Sequence, residues 1–177
     1  MNYLKENPTG LDTVIHKIQV KLYDKLTALW GTELDGYPRC YSLKRETKKT
    51  IEHFKNKGEY TSNLIHAERN KFFFLADADY TQDTLNHYST KIDLYFILNL
   101  KKIKPDVLHR ADEEIRRDII HIVSRCDNVG ENIKIVTGAD SIFMGFIRNN
   151  IDDIHPYFFF KAIIDIQDFA LNKTLCQ

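Results

Sequence analysis

The stretch Lys91 to Lys102, KIDLYFILNLKK, decides the fold. Counting alternate positions puts Ile92, Leu94, Phe96, Leu98 and Leu100 on one face and Asp93, Tyr95, Ile97 and Asn99 on the other. Successive side chains of a strand point to opposite faces, so this pattern predicts a strand in the middle of a sheet, with one fully apolar face and one mixed face. Pro156 to Phe169, PYFFFKAIIDIQDF, alternates in the same way: Phe158, Phe160, Ala162, Ile164 and Ile166 against Phe159, Lys161, Ile163, Asp165 and Gln167. The two strands are expected to share one sheet and its core.

Upstream, Leu11, Val14, Ile15, Ile18, Leu22, Leu26 and Leu29 recur at three and four, which predicts an amphipathic helix entered at Thr9 or Asp12 and stopped at Gly31. Its polar face holds Asp12, His16, Lys17, Lys21, Asp24 and Lys25. Tyr37 to Leu43, YPRCYSL, follows an Asp35-Gly36 turn signal and reads as a short edge strand that tolerates Pro38. Lys44 to Tyr60 fits an amphipathic helix ending at Gly58 or a hairpin turning at Asn56-Lys57-Gly58. The hairpin is favoured by β-branched residues such as Thr47, Thr50 and Ile51. Leu64-Ile65 reads as a loop or helical turn, and Lys71 to Ala78, KFFFLADA, as a strand.

Downstream of the central strand, Pro105 breaks the run. A second helix follows to Cys126, with Ile115, Ile119, Ile122, Val123 and Cys126 as its buried stripe. Asp112, Glu113 and Glu114 in its first turns complement the helix dipole and need no catalytic explanation. Ile133 to Val136 reads as a short strand. The fold class expected is α+β: one domain over residues 1–177, a mostly antiparallel twisted sheet of about four to six strands, and two main helices on one face.

Two segments lack a core period. Asp79 to Thr90, DYTQDTLNHYST, reads as a long hairpin connection, and loops of that length are uncommon unless they bind something or are disordered. Its candidate contact residues are Asp79, Tyr80, Leu85, His87 and Tyr88. Ser141 to His155 offers Ile142, Phe143, Met144, Phe146 and Ile147 around Gly145. In a monomer these line one edge of the core; in an oligomer they form an adhesive surface.

A chain of 177 residues is long enough to bury roughly 70% of the surface it would expose unfolded. Its 25 basic and 25 acidic residues cancel to a formal net charge of +0, so no overall field draws it to nucleic acid or an anionic membrane. Cys40, Cys126 and Cys176 are an odd number without CxxC spacing, and no signal-peptide run opens the chain, which implies a protein made in a reducing cytoplasm. Lys101 and Lys102 interrupt the longest apolar run, so no membrane partner is expected.

No GxGxxG, GxxxxGK[ST], HExxH or GxSxG spacing occurs, and the chain is read as a non-enzyme without cofactor or metal. His109 stands before Asp112 and Glu113 at a spacing that could bring metal ligands together, but a cap or surface role is favoured. Cys126 lies on the apolar stripe and reads as a small buried hydrophobe. Lys44, Arg45, Lys48, Lys49, Lys55 and Lys57, with His53, Phe54 and Tyr60 among them, form a basic patch with the ingredients of a nucleic-acid surface. Glu46, Glu52 and Glu59 interrupt it, and a solvated hairpin face is the favoured reading.

The order of parts resembles the tail terminators of long-tailed phages, minor tail proteins related to small head–tail connector and neck proteins. The resemblance is carried by the helix Leu11 to Trp30 followed by YPRCY, by KIDLYFILNLKKI leading into HRADEEIRRDIIHIV, and by HPYFFFKAIIDI after an apolar loop. It covers most of the chain, although Lys44 to Asn70 is longer and more charged than that pattern. What it implies is a virion protein of the tail or neck, assembled in the host cytoplasm. Its subunits would close into a ring, commonly of six, that caps the tail tube, ends its polymerisation and joins it to a head-completion or connector protein. DNA would pass the lumen without sequence recognition. Ser141 to Ile154 and Asp79 to Thr90 would then be contacts between subunits or with the tube. Another neck component, or a small nucleic-acid-binding module, is the alternative.

Overall fold

The computed structural model describes residues 1–45, 48–55, 60–62, 69–76, 79–146 and 154–171. In chain order the elements are α1 (Leu11–Trp30), β1 (Asp35–Arg45), β2 (Lys48–Phe54), β3 (Tyr60–Ser62), β4 (Lys71–Leu75), β5 (Thr81–Thr84), β6 (His87–Asn99), α2 (Leu100–Ile103), α3 (Asp112–Val123), β7 (Val129–Thr137), α4 (Ala139–Ile142) and β8 (Tyr157–Phe169). The strands form one sheet in the order β3-β2-β1-β4-β6-β8-β7, with β5 paired to β6. Only β1 and β4 run parallel; the other neighbours are antiparallel. The class is α+β with a mostly antiparallel sheet. It holds eight strands among the described residues rather than the four to six expected.

β6 and β8 are the axis. Their ladder runs from Tyr88↔Phe169 to Asn99↔Tyr157, so the two alternating patterns lie face to face along their whole length. Ile92, Leu94, Phe96 and Leu98 of β6 join Phe158, Phe160, Ala162, Ile164 and Ile166 of β8 in one core. The same core takes Phe72 and Phe74 of β4 and the apolar stripes of α1 and α3. A second core occupies the other face of the sheet. Tyr95 and Ile97 of β6 and Phe159 of β8 meet Phe73, Leu75, Tyr37, Cys40, Ile51, Ala139, Ile142 and Phe143 there. That is why β4 is buried at every position and shows no alternation in the sequence.

Several boundaries differ from expectation for identifiable reasons. The central strand ends at Asn99, whose side chain accepts the Lys102 N–H at 3.3 Å and so caps α2, placing Leu100 and Ile103 together in the core. Neither Thr9 nor Asp12 caps α1 with its side chain; Gly10 holds the N-cap position. Asp12 instead turns toward the sheet and is buried. Gly31 does close α1, in the left-handed conformation at φ 61° that glycine adopts without steric cost. Between Lys44 and Tyr60 the described residues include strand and no helix, β2 pairing with β1 on one side and with β3 on the other, while the expected turn at Asn56-Lys57-Gly58 lies outside the described residues. The Leu64-Ile65 reading, and Cys176, lie outside the described residues.

Asp79 to Thr90 is not a long connection. β5 and the start of β6 pair as Thr81↔Ser89, Gln82↔Tyr88 and Thr84↔His87 around a tight turn at Leu85-Asn86. The segment lacks a core period because its outer strand is exposed throughout and only Tyr80 and Tyr88, against Phe169, touch the helix-side core. Its strand character comes instead from Thr81, Thr84, Tyr88 and Thr90, whose side chains favour extended backbone.

Candidate interaction surface

The hairpin of β5 and β6 is an arm. Every residue of β5 is exposed, as is His87 where β6 begins, and Leu85 at the turn is 84% exposed. An isolated two-stranded ribbon is marginal in water, so the arm owes its order to β6 running on into both cores and to side-chain contacts at its root. Gln82 Nε2 donates to the Leu85 carbonyl at 3.1 Å across the turn, and Ser89 Oγ donates to Asp83 at 3.1 Å. The hairpin leans on the end of β8: His87, directly after the turn, pairs with Asp168, Tyr88 faces Phe169 in the ladder with its ring 6.2 Å away, and Tyr80 sets its ring edge-on to Phe169 at 5.3 Å. An open cleft of about 360 Å³ lies beside it, lined by Asp79, Thr81, Ser89, Lys91, Asp165 and Gln167.

The apolar segment after β7 behaves differently. Ile142 and Phe143 are buried in the second core of their own chain, Phe143 lying 5.9 Å from the Tyr95 ring and edge-on to Phe159 at 5.6 Å. This corrects the reading of these two residues as adhesive surface. They lack a strand or helix period because a one-turn helix, α4, delivers them to the sheet as a plug. Met144 just beyond is 79% exposed. Gly145, at φ 81°, turns the chain back so that its carbonyl accepts the Lys49 N–H at 2.7 Å, and Phe146 is half-buried against β2 with Lys49 Nζ 5.5 Å over its ring. Ile147 lies outside the described residues.

The described part of the basic patch keeps its lysines near the surface but withdraws one of its rings. Lys48 and Lys55 are exposed and Lys49 is half-buried. His53, however, is turned into the second core, edge-on to Tyr37 at 4.7 Å, and is only 3% exposed. Lys44 and Arg45 belong to β1, but their side chains, that of Tyr60 and the whole of Lys57 fall outside the described residues.

His109 does not meet Asp112 or Glu113 as a ligand pair. Its Nε2 lies 2.9 Å from Glu114, whose carboxyl is held below the usual carboxylate range by that hydrogen bond. Among the described residues no three His, Cys, Asp or Glu side chains converge as a metal site. Burial pushes the thiols of Cys40 and Cys126 up, which disfavours the thiolate that a nucleophile requires.

One polar cluster was not legible in the sequence. Asp12, 8% exposed, faces Arg39 of β1 with Oδ1 2.8 Å from Nε, and also holds Lys5. The Arg39 guanidinium lies 5.0 Å over the Tyr41 ring; burial works against its charge, and the Asp12 carboxylate more than offsets that cost. The cluster thus ties the segment before α1 to the sheet beside the arm's root. A second internal tie is Gln19, fully buried, whose Nε2 donates to Asn2 Oδ1 and to the Tyr3 carbonyl at 2.8 Å each. Neither Asp12 nor Gln19 has a sequence-local partner that would betray it.

The fold and surface together define an α+β protein with a filled sheet, a projecting hairpin arm and a charge-buttressed root. No family model matches the chain, and no curated protein matches it.

Proposed function

We propose that the chain is a structural subunit that assembles with copies of itself, of the tail-terminator type, forming a ring that ends a phage tail tube and joins it to the head. The observation that carries this reading is the arm. A chain that exposes the whole outer strand of a hairpin, with a nearly bare leucine at its turn, gains by laying it on a partner, because exposed apolar surface is buried on association. The order of elements supports the class: a long helix, strands, the arm, the central strand, a helix, an edge strand, an apolar plug and the final strand. In this reading α1 and α3 back the same face of the sheet and leave its ends and edges for partners. Met144 and the arm residues Asp79, Tyr80, Leu85, His87 and Tyr88 are its contact residues, whereas Ile142 and Phe143 serve the subunit's own stability. The partners are the tail tube protein and a head-completion or connector protein. DNA passes the lumen on a surface of mixed charge, without base recognition.

The test is to examine particles assembled without this protein by electron microscopy. Overlong tails, or complete tails unattached to heads, are expected. Intact particles with tails of normal length overturn the proposal.

A further inference from the structure

The two most exposed large apolar side chains among the described residues are Leu108, at 103%, and Leu85, at 84%. They stand beyond opposite ends of β6. Leu85 is at the tip of the arm just before His87, the first residue of the strand, and Leu108 follows α2, which begins directly after Asn99, the last. The arm and the segment leading up to Leu108 carry opposite charge, although Asp112, Glu113 and Glu114 follow Leu108 in α3. Asp79 and Asp83 lie in the arm and Asp168 of β8 beside His87, and no lysine or arginine occurs between Asp79 and Thr90. Lys101, Lys102 and Lys104 precede Leu108, with Asp106 as the single acid between Lys101 and Leu108. Lys101 and Lys102 are exposed and Lys104 is half-buried.

β6 alone spans about 40 Å at roughly 3.4 Å per residue, with Leu85 before its first residue and Leu108 beyond α2 at its other end. We propose that the arm of one copy docks on the Lys101–Leu108 segment of the next, with Leu85 against Leu108 and the acidic residues of the arm facing the lysines. The inference rests on the self-assembly reading and names its two surfaces. An apolar centre rimmed by opposite charges has the anatomy of a specific interface, and the charges set register and encounter rate. Because each copy contributes a different surface to each contact, the contact is heterologous and repeats. It gives a ring if the rotation closes and a filament if it does not.

The test uses the whole chain and the variants Leu85→Asp and Leu108→Asp. Both positions are exposed, so circular dichroism and melting should match the parent chain. The parent is expected to sediment as an assembly of several copies, and each variant alone as a monomer. A one-to-one mixture of the two variants is expected to give a dimer, since one intact arm meets one intact Lys101–Leu108 segment and the remaining surfaces are spoiled. Lys101→Glu with Lys104→Glu should raise the concentration at half-assembly by about tenfold, and adding Asp79→Lys with Asp83→Lys in the same chain should bring it back down. If both leucine variants assemble as the parent does, the docking is wrong while self-assembly stands. If the variants are monomeric and their mixture is too, the head-to-tail pairing is wrong. If the parent itself is a monomer at every concentration, both the docking and the self-assembly reading fall.

Discussion

The segments Asp79–Thr90 and Ala139–Phe146 look alike in one respect: neither shows the spacing of a strand or helix packed on a core. The structure separates them. The second is a plug, its Ile142 and Phe143 driven into the face of the sheet opposite the helices, while the first is an arm with a fully exposed outer strand that touches a core only through tyrosines on Phe169. The difference follows from composition. Phenylalanine and isoleucine beside a left-handed glycine can pack in one turn of helix, whereas threonines, aspartates and a lone leucine give extended backbone, with only Tyr80 and Tyr88 to rest on Phe169. Missing periodicity is therefore not a sign of exposure. What separates plug from arm is how much apolar area the segment can bring to a surface already there.

The comparison can be broken by substitution, beginning with the largest effect. Phe143→Ala should lower the unfolding free energy by about 3–5 kcal/mol, as for a large aromatic removed from a packed core, measured by urea denaturation. A loss below about 1 kcal/mol would mean that the plug is loosely seated. Asp12→Ala should cost about 2 kcal/mol, less than a fully buried pair because Arg39 keeps some water, by leaving that guanidinium without its carboxylate beside the arm's root. The same denaturation series measures it, and an unchanged midpoint would show the pair to be dispensable. Gly145→Ala should cost about 1 kcal/mol through its positive φ, since no atom of the described residues crowds the added methyl group. Leu85→Ala in the arm should leave stability within about 0.5 kcal/mol of the parent, and a larger loss would make the arm part of the fold.

The smallest effect is a dependence on pH. Lys5 is raised above its ordinary value, chiefly by its hydrogen bond to Asp12. A basic group raised in the folded state stabilises it fully below its unfolded value and loses that contribution as pH climbs through the folded one. Lys5→Met should therefore lower the melting temperature slightly at pH 8, and the difference from the parent should shrink above about pH 11. A difference that grows in alkali contradicts the pairing.

Those effects also mark what the sequence could carry. β6, β8, α1 and α3 were legible because each buries one regular stripe, and the residues that define the stripes, such as Leu94, Phe160, Ile18 and Ile119, are core residues in the structure. The mixed face of β6 was read correctly as mixed, but the burial of Tyr95 and Ile97 was hidden, because the residues that cover them arrive from β1, β2 and the plug. The strand at Lys48–Phe54, favoured as part of a hairpin, and that at Thr81–Thr84, read as a connection, were weakly signalled, being short and largely polar. Asp12 illustrates the limit. At the first turn of a helix an aspartate is favoured by the dipole in any case, and only the fold reveals that Arg39 lies opposite. As for the candidate site, the sequence placed the arm's residues together but could not tell arm from loop, and it placed Ile142 and Phe143 on the wrong side of the surface.

The central claim is that this chain is built to bind its own copies through an arm it does not need for folding. The most direct measurement is the mass of the purified chain over a dilution series by sedimentation or native mass spectrometry. The account predicts complexes of several 20.8 kDa chains that dissociate on dilution and in high salt. A single species of 20.8 kDa at every concentration and salt would contradict it.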